Sequence, residues 1–323
     1  MKKRIDIPGR SALWGDGIDS LCALVQELCN GRVTRETNRV RIERNKQALG
    51  LIYPCPEVLM NKVSSLLILL GLFTGIPPVK TNAQQPAASN ATSSCPVDHD
   101  KLADILRKSV KPGGGPSNGG LDNNEWVAVV NRQGIVCTVA FSGQNVDDQW
   151  LGSRAIAAAK ANTANAFSLK QKAMATANLY AAAQPGGFLF GAALSNLPST
   201  EAIYAGQPRD FGTDHDPMVG KAVGGVIVFG GGLALYNDSG IVGGLGVSGD
   251  SSCADHNVAW RVRHYLGLDH VPAGVSPNMK DAIIYDIGPD GRSSSGFGHP
   301  KCGGTEDRIA VDLGAGVEGS AVR

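Results

Sequence analysis

An α+β fold, one antiparallel sheet of about five strands covered by helices in a single domain, is what this sequence predicts. Three observations carry that reading. Apolar segments switch between helical and strand spacing in the order α–β–β–α–α–β–β–β–α. Short turns at Arg132-Gln133-Gly134 and Asn237-Asp238-Ser239-Gly240 can join only antiparallel neighbours. Forty-two glycines and 6% aromatic residues suit tight hairpins and alanine-packed helices rather than a bulky aromatic core. The 42% hydrophobic content is enough for a substantial core. A net charge of +1 gives no reason to expect nucleic acid or an anionic membrane as partner.

From the N-terminus, Met60-Asn61-Lys62 leads into LLILLGLF at 66–73, then Pro77-Pro78 and Thr81-Asn82-Ala83. A basic start, a short apolar run and a small-residue cleavage site are the plan of a secretory signal peptide, expected over 60–83. The run is too short to cross a bilayer, which takes ~20 residues. Residues 1–59 are then an upstream segment with no part in the folded product, and 84–97 a flexible linker. A periplasmic or secreted product follows, with no stable membrane insertion after cleavage. The chain without its leader keeps Cys95, Cys137, Cys253 and Cys302, an even set that an oxidising compartment can pair in three ways. A Cys95–Cys302 staple is the pairing favoured here, with Cys137 left as a buried strand residue. No C-x-x-C or other metal-ligand spacing suggests a structural zinc site.

The domain proper is expected over 98–287. Asp98 to Val110 has helical spacing, with Leu102, Ile105 and Leu106 on one face, and Lys111-Pro112-Gly113 ends it. Trp126 to Phe141 reads as a hairpin, Gln149 to Phe167 as a long helix, and Lys170 to Ala183 as a second alanine-rich helix stopped at Pro185. An insertion at 185–218 holds a short helix at Thr200 to Tyr204 and the triplet Asp214-His215-Asp216. The triplet could bind a metal through mixed O and N ligands, although a polar turn is the plainer reading. Val226 to Phe229, Leu233 to Tyr236 and Ile241 to Val247 are strands, Ser251 or Ser252 caps a helix to Leu266, and Asp281 to Ile287 is an edge strand. Residues 288–323 read as a loose extension.

Gly244, Gly246 and Gly249 match G-x-G-x-x-G, with Asp269 at about the distance of a ribose-binding acid. The strand before them comes from an antiparallel hairpin and none follows the helix, so a dinucleotide site is set aside. Ser248 is no hydrolase nucleophile, because G-V-S-G is not G-x-S-x-G. On the helix that follows, Val258, Ala259, Val262, Tyr265 and Leu266 share one face. His256, Trp260, Arg263 and His264 fall on the other, which suits a subunit interface or a flat, anionic, aromatic ligand.

WVAVVNRQGIVCTVAF at 126–141, the core Ile156, Ala157, Lys160, Ala161, Thr163 and Ala164, and the G-V-S-G turn at Gly246 to Gly249 followed by Asp255 occur in one order. Together they resemble the GlcG/HbpS-like haem-binding (haem-degrading) domain family, related to the C-terminal domain of PduO-type proteins. The pattern spans most of Leu102 to Leu268. It departs from the family at Asp255-His256, where Asp-Glu is frequent, in the insertion and in the C-terminal extension. The resemblance implies profilin-like layering and a haem cofactor. His256 is then the first choice as iron ligand, with His264 and His215 behind it. Trp260 would stack on the macrocycle, and Arg263 or Lys160 would pair with propionates. Gly246, Ser248 and Gly249 would face an anion, and Thr163 would line the pocket.

The expected function is therefore an exported haem-binding protein acting in sensing, storage or slow degradation, most simply a homo-oligomer. Two alternatives stay open. One is an enzyme linked to corrinoids, hydroxy acids or another small molecule through the turn at 246–249. The other is a non-catalytic oligomeric assembly module whose interface includes Trp260.

Overall fold

The computed structural model describes residues 94–319 and the backbone of two earlier strands, β1 (Arg32–Glu36) and β2 (Arg39–Glu43), which pair antiparallel. The chain divides into two units, 1–84 and 85–323, and everything below concerns the second. The expected leader at 60–83 and linker residues 84–93 lie outside the described residues.

The second unit opens with α1 (His99–Ser109), β3 (Trp126–Asn131), β4 (Val136–Phe141) and α2 (Ser153–Phe167). Short pieces follow: a 3-10 turn at Thr176–Leu179, α3 (Tyr180–Ala183), α4 (Ala192–Ser195) and α5 (Thr200–Ile203). Then come β5 (Gly232–Asn237), β6 (Gly240–Ser248), α6 (Ser252–Leu266), β7 (Ile283–Tyr285), α7 (Glu306–Asp312) and β8 (Gly316–Glu318).

β3 to β6 form one sheet in the order β4-β3-β6-β5 with every neighbouring pair antiparallel. Helices cover both faces, which is why the strands read as continuous apolar runs. Along β3, Val127 and Val129 face α1 and α6, packing with Leu102, Leu106, Val258 and Val262. Trp126, Ala128 and Val130 face α2, packing with Ala157, Ala158 and Ala161. The α+β architecture is as expected, with four strands in the sheet instead of about five. The remaining strand, β7, pairs in parallel with β8 in a ladder of its own.

The glycine run in β6 is a packing surface. A Cβ on Gly246 would lie 2.0 Å from the Ala157 carbonyl oxygen, and one on Gly244 would lie 2.2 Å from that of Ala161. The helix backbone of α2 therefore rests on the strand backbone, which requires glycine below and alanine above. This use accounts for the G-x-G-x-x-G match without any nucleotide.

Three expectations change. Lys170 to Ala183 is helical only from Thr176, because a tight turn closed by Leu169 and Lys172 and a non-helical link at 173–175 come first. The Ala173 N–H donates to the Ala273 carbonyl at 2.8 Å, and the Leu169 carbonyl accepts the Tyr236 hydroxyl at 2.7 Å. Val226 to Phe229 joins no ladder, and the Ile227 N–H donates to the Thr163 hydroxyl at 2.9 Å. Residues 289–319 are not loose: α7 and β8 pack over α6 and bury its outer side. The insertion is tied down as well. Arg154 donates from Nε to Asp216 at 2.9 Å and from Nη1 to the Ile203 carbonyl at 2.7 Å, and its guanidinium lies 3.8 Å above the Phe211 ring.

The disulfides are Cys95–Cys137 and Cys253–Cys302, not Cys95–Cys302. Cys95 leads into α1, which lies on β4 and so beside Cys137. Cys302 reaches the start of α6 because the C-terminal arm wraps that helix. Closing loops of 42 and 49 residues, each bond contributes roughly 4 kcal/mol by restricting the unfolded chain.

Gly246→Ala should destabilise the domain by about 3 kcal/mol or more, since its methyl would overlap helix backbone that has nowhere to go. Urea unfolding of the variant beside the parent protein measures the loss, and an unchanged midpoint would mean that α2 does not sit on β6 as described.

Candidate functional site

α6 carries most of the residues singled out by sequence. Ser251 caps it, accepting the Ala254 N–H at 3.2 Å, and Gly267 closes it with φ 69°. Next to that start lies a buried polar knot. Lys160 reaches through the edge of the sheet and donates to Asp255 at 2.6 Å and to the Val247 carbonyl at 2.9 Å. Asp255 also accepts the N–H groups of Gly249 and Asp250 at 3.1 and 2.8 Å. Glu125 lies beside them with one carboxylate oxygen unpartnered. Burial, reinforced by Asp255 and Asp250, holds its carboxyl well above the usual range.

This knot determines what several predicted residues do. Lys160 is fully buried and its ammonium is committed to Asp255. Gly246 lies against α2, while Ser248 and Gly249 end β6. Thr163 is buried, donates to the Ala159 carbonyl at 2.7 Å and accepts from Ile227. These five hold the scaffold together and do not line an open pocket. His215 is exposed in the insertion, while Asp216 next to it is spent on Arg154, so the Asp214-His215-Asp216 triplet does not converge on a metal.

The helical wheel of α6 also needs correction. His256 and Arg263 are buried, whereas Tyr265, assigned to the core face, is half-exposed. The reason is the third layer: β7, α7 and β8 cover the side of α6 that a two-layer fold would leave wet. Arg263 forms a two-pronged pair with Asp281, at 2.6 and 2.8 Å, and its guanidinium lies 4.6 Å from the Trp260 ring centre. His256 has Nε2 3.2 Å from the Ala315 carbonyl, an acceptor only, so Nε2 carries the hydrogen and buried Nδ1 is left without a partner. Burial pushes this imidazole down to about 3, with Arg263 adding to the effect and Asp281 opposing it.

What remains open is a cleft of about 460 Å³ at the C-terminal half of α6. Trp260, Arg261, His264 and Tyr265 form one wall, Asp269 and Val271 a second, and Lys280 with Asp312 to Gly314 the third. Its volume falls in the range of small-molecule sites. His264 Nδ1 is 2.7 Å from Asp269. The carboxylate can only accept, so Nδ1 carries the hydrogen of this bond and Nε2 is the nitrogen left for a ligand. Although burial opposes it, the His264 hydrogen bond keeps the Asp269 carboxyl below its ordinary value. A carboxylate fixing the far nitrogen is how proteins orient imidazoles that bind metals. Among the described residues, Lys280 at the cleft has no carboxylate partner, whereas Arg261 is nearly buried and donates to the Asn118 side chain and the Ser117 carbonyl.

An aromatic wall, an imidazole oriented by a carboxylate and the cation of Lys280 fit a flat macrocycle bearing carboxylates and a metal. Sequence alone named Trp260 and His264, but not Arg261, Tyr265 or Lys280. Arg261 was legible as the cation one residue from Trp260, whereas Lys280 reaches the cleft only through the fold.

Residues 121–263 match the family described as haem degrading protein HbpS-like. No curated protein matches the chain. Among solved structures, Klebsiella pneumoniae protein ORFY is similar at 19% identity over 58% of this chain and 97% of that one, with a TM-score of 0.37. The complex of PduOC with haem is similar at 24% over 52% and 94%, with a TM-score of 0.35. A double mutant of Streptomyces reticuli HbpS is similar at 18% over 60% and 99%, with a TM-score of 0.34.

The unfolded chain protonates His256 near 6.5, the folded chain only near 3. Native stability should therefore fall as pH drops through this window, by up to about 1.4 kcal/mol per unit from this group. Glu125, raised instead of lowered, titrates with the opposite sign. Stabilities from urea unfolding at pH 7 and pH 5 should lie closer together by about 2 kcal/mol in His256→Gln than in the parent. Equal losses in both proteins would show that this imidazole does not set the acid response.

Proposed function

We propose, from the HbpS-like domain spanning residues 121–263, that this chain binds haem in the cleft walled by Trp260 and His264. The observation that carries the reading is the His264–Asp269 pair, which leaves an exposed imidazole nitrogen aimed by a carboxylate next to an indole. His264, second choice by sequence, replaces His256 as the iron ligand, because His256 lies under the Ala315 segment with its Nε2–H already donated. Trp260 gives the macrocycle an aromatic wall, kept in place by Arg263 across its ring. Lys280 pairs with a propionate in place of Lys160 and Arg263, whose charges are spent within the fold, and Arg261, held by Asn118 and Ser117, adds positive charge at that wall. A bound haem supplies an iron centre that exchanges ligands and changes oxidation state. The cleft is open, which suits sensing or storage with a readily exchanged haem.

Two disulfides among the described residues support an oxidising compartment, in line with the leader read at 60–83 and an exported product. Phe188, Phe190, Leu194, Leu197 and Tyr204 are exposed on the insertion. They are the best support for a homo-oligomer, and a better one than Trp260.

Haemin titration followed at the Soret band should show a saturable shift. His264→Ala should lose the shift or weaken affinity at least tenfold, and Asp269→Asn should weaken it by about 10–100-fold. Loss in His256→Ala with His264→Ala unaffected would move the iron beneath the Ala315 segment. No saturable shift in the parent protein would refute haem binding and leave the assembly reading.

A further inference from the structure

We infer that Cys253, His299 and Cys302 form a redox-gated site for zinc or a similar borderline-soft divalent cation, closed while the cysteines are bonded to each other and open once they are reduced. The cluster lies at the first turn of α6, at the opposite end of that helix from the Trp260 cleft, and takes no part in the haem reading.

The donors converge by folding alone, His299 and Cys302 lying 46 and 49 residues after Cys253. Their ligand atoms all lie within 4.8 Å of one another, and the Ser252 hydroxyl joins the Nε2 side of His299 (3.4 Å) to Cys302 Sγ (3.5 Å). His299 is 1% exposed and held in place. Its Nδ1 lies 2.7 Å from the Pro300 carbonyl, so that nitrogen carries the hydrogen and Nε2 offers the lone pair. Nε2 now accepts the Gly230 N–H over 3.3 Å and faces the Ser252 hydroxyl at 3.4 Å. An imidazole whose second N–H is tied to a carbonyl is the usual form of a metal-binding histidine. Cys302 Sγ accepts the Cys253 N–H at 3.3 Å, and a helix-start N–H favours thiolate over thiol.

Two thiolates and one imidazole are a donor set that zinc takes in preference to oxygen-loving cations. The fourth position falls to water or to the Ser252 hydroxyl, 3.5 Å from Cys302 Sγ. Tetrahedral zinc needs the sulfurs ~3.8 Å apart. His299 and Cys302 sit on an arm outside any helix or strand, and Cys302 is only partly buried, so side-chain rotation can open that gap and an ion can enter. The electrons balance with a phosphine as reductant. Phosphorus gives two electrons to the S–S bond and takes an oxygen from water, and the two protons of that water end on the two sulfurs. Zinc then displaces both protons.

The full chain, oxidised or phosphine-reduced and desalted without oxygen, is titrated with zinc alone and, in parallel, with cobalt(II). The reduced protein is expected to retain one more zinc per chain than either the oxidised protein or reduced Cys302→Ser. Its cobalt form is expected to show thiolate-to-cobalt absorption that His299→Gln alters. Cys137→Ser, which breaks the other disulfide, should keep that zinc, and circular dichroism separates lost binding from lost fold. Equal zinc in reduced and oxidised protein, or in reduced parent, Cys302→Ser and His299→Gln alike, would overturn the proposal and place any bound metal at other cysteines.

Discussion

The contact between α2 and β6 is the constraint on which the rest depends. With no side chain on Gly244 or Gly246, the helix sits on the strand backbone, and Lys160 projects past the strand edge far enough to reach Asp255. That ion pair is buried on both sides, so its value lies in placement: losing one partner would leave a bare charge in the core. Asp255 in turn gathers the turn amides at 249 and 250 and sets where α6 begins. The positions of Cys253 and, two and three turns on, of Trp260 and His264 follow from there.

A second layer of control comes from the far end of the chain. Asp281, Ala315 and Glu306 reach Arg263, His256 and the Ser251 cap, and together they turn an amphipathic helix into one buried nearly all round. The cleft exists because this cover stops at Gly314, leaving the last turns of α6 partly open. Residues that looked equivalent on one helical face are thereby sorted into core and site: His256 and Arg263 go under the cover, Trp260 and His264 stay at its rim.

Local physics made much of the fold legible. The hairpin at 126–141, the cap of α6 and the antiparallel sheet follow from turn residues, a capping serine and spacing. What failed was long-range. Lys170 to Ala175 has alanine-rich helical composition, yet the tight turn closed by Leu169 and Lys172 and the bond from Ala173 to Ala273 keep it out of the helix, tertiary context overriding propensity. The cysteine pairing could not be read because nothing local says that the C-terminal arm returns to α6. The turn-rich composition of that arm concealed it, since its hydrogen bonds go to other elements and leave no periodic signal. Of the site, Trp260 and His264 were visible as an aromatic and a histidine without an apolar reason to be there. Choosing between His256 and His264 needed the third layer, which a helical wheel does not contain.

The late arrival of that layer bears on how the protein is made. Arg263 waits for Asp281, His256 for Ala315, and Cys253 for Cys302, so a chain emerging from the ribosome completes the cover of α6 only after residue 315 has been synthesised. Until these partners arrive the helix carries an uncompensated guanidinium and a free thiol. Completion of the fold therefore follows the synthesis of the sheet and of α6 instead of accompanying it.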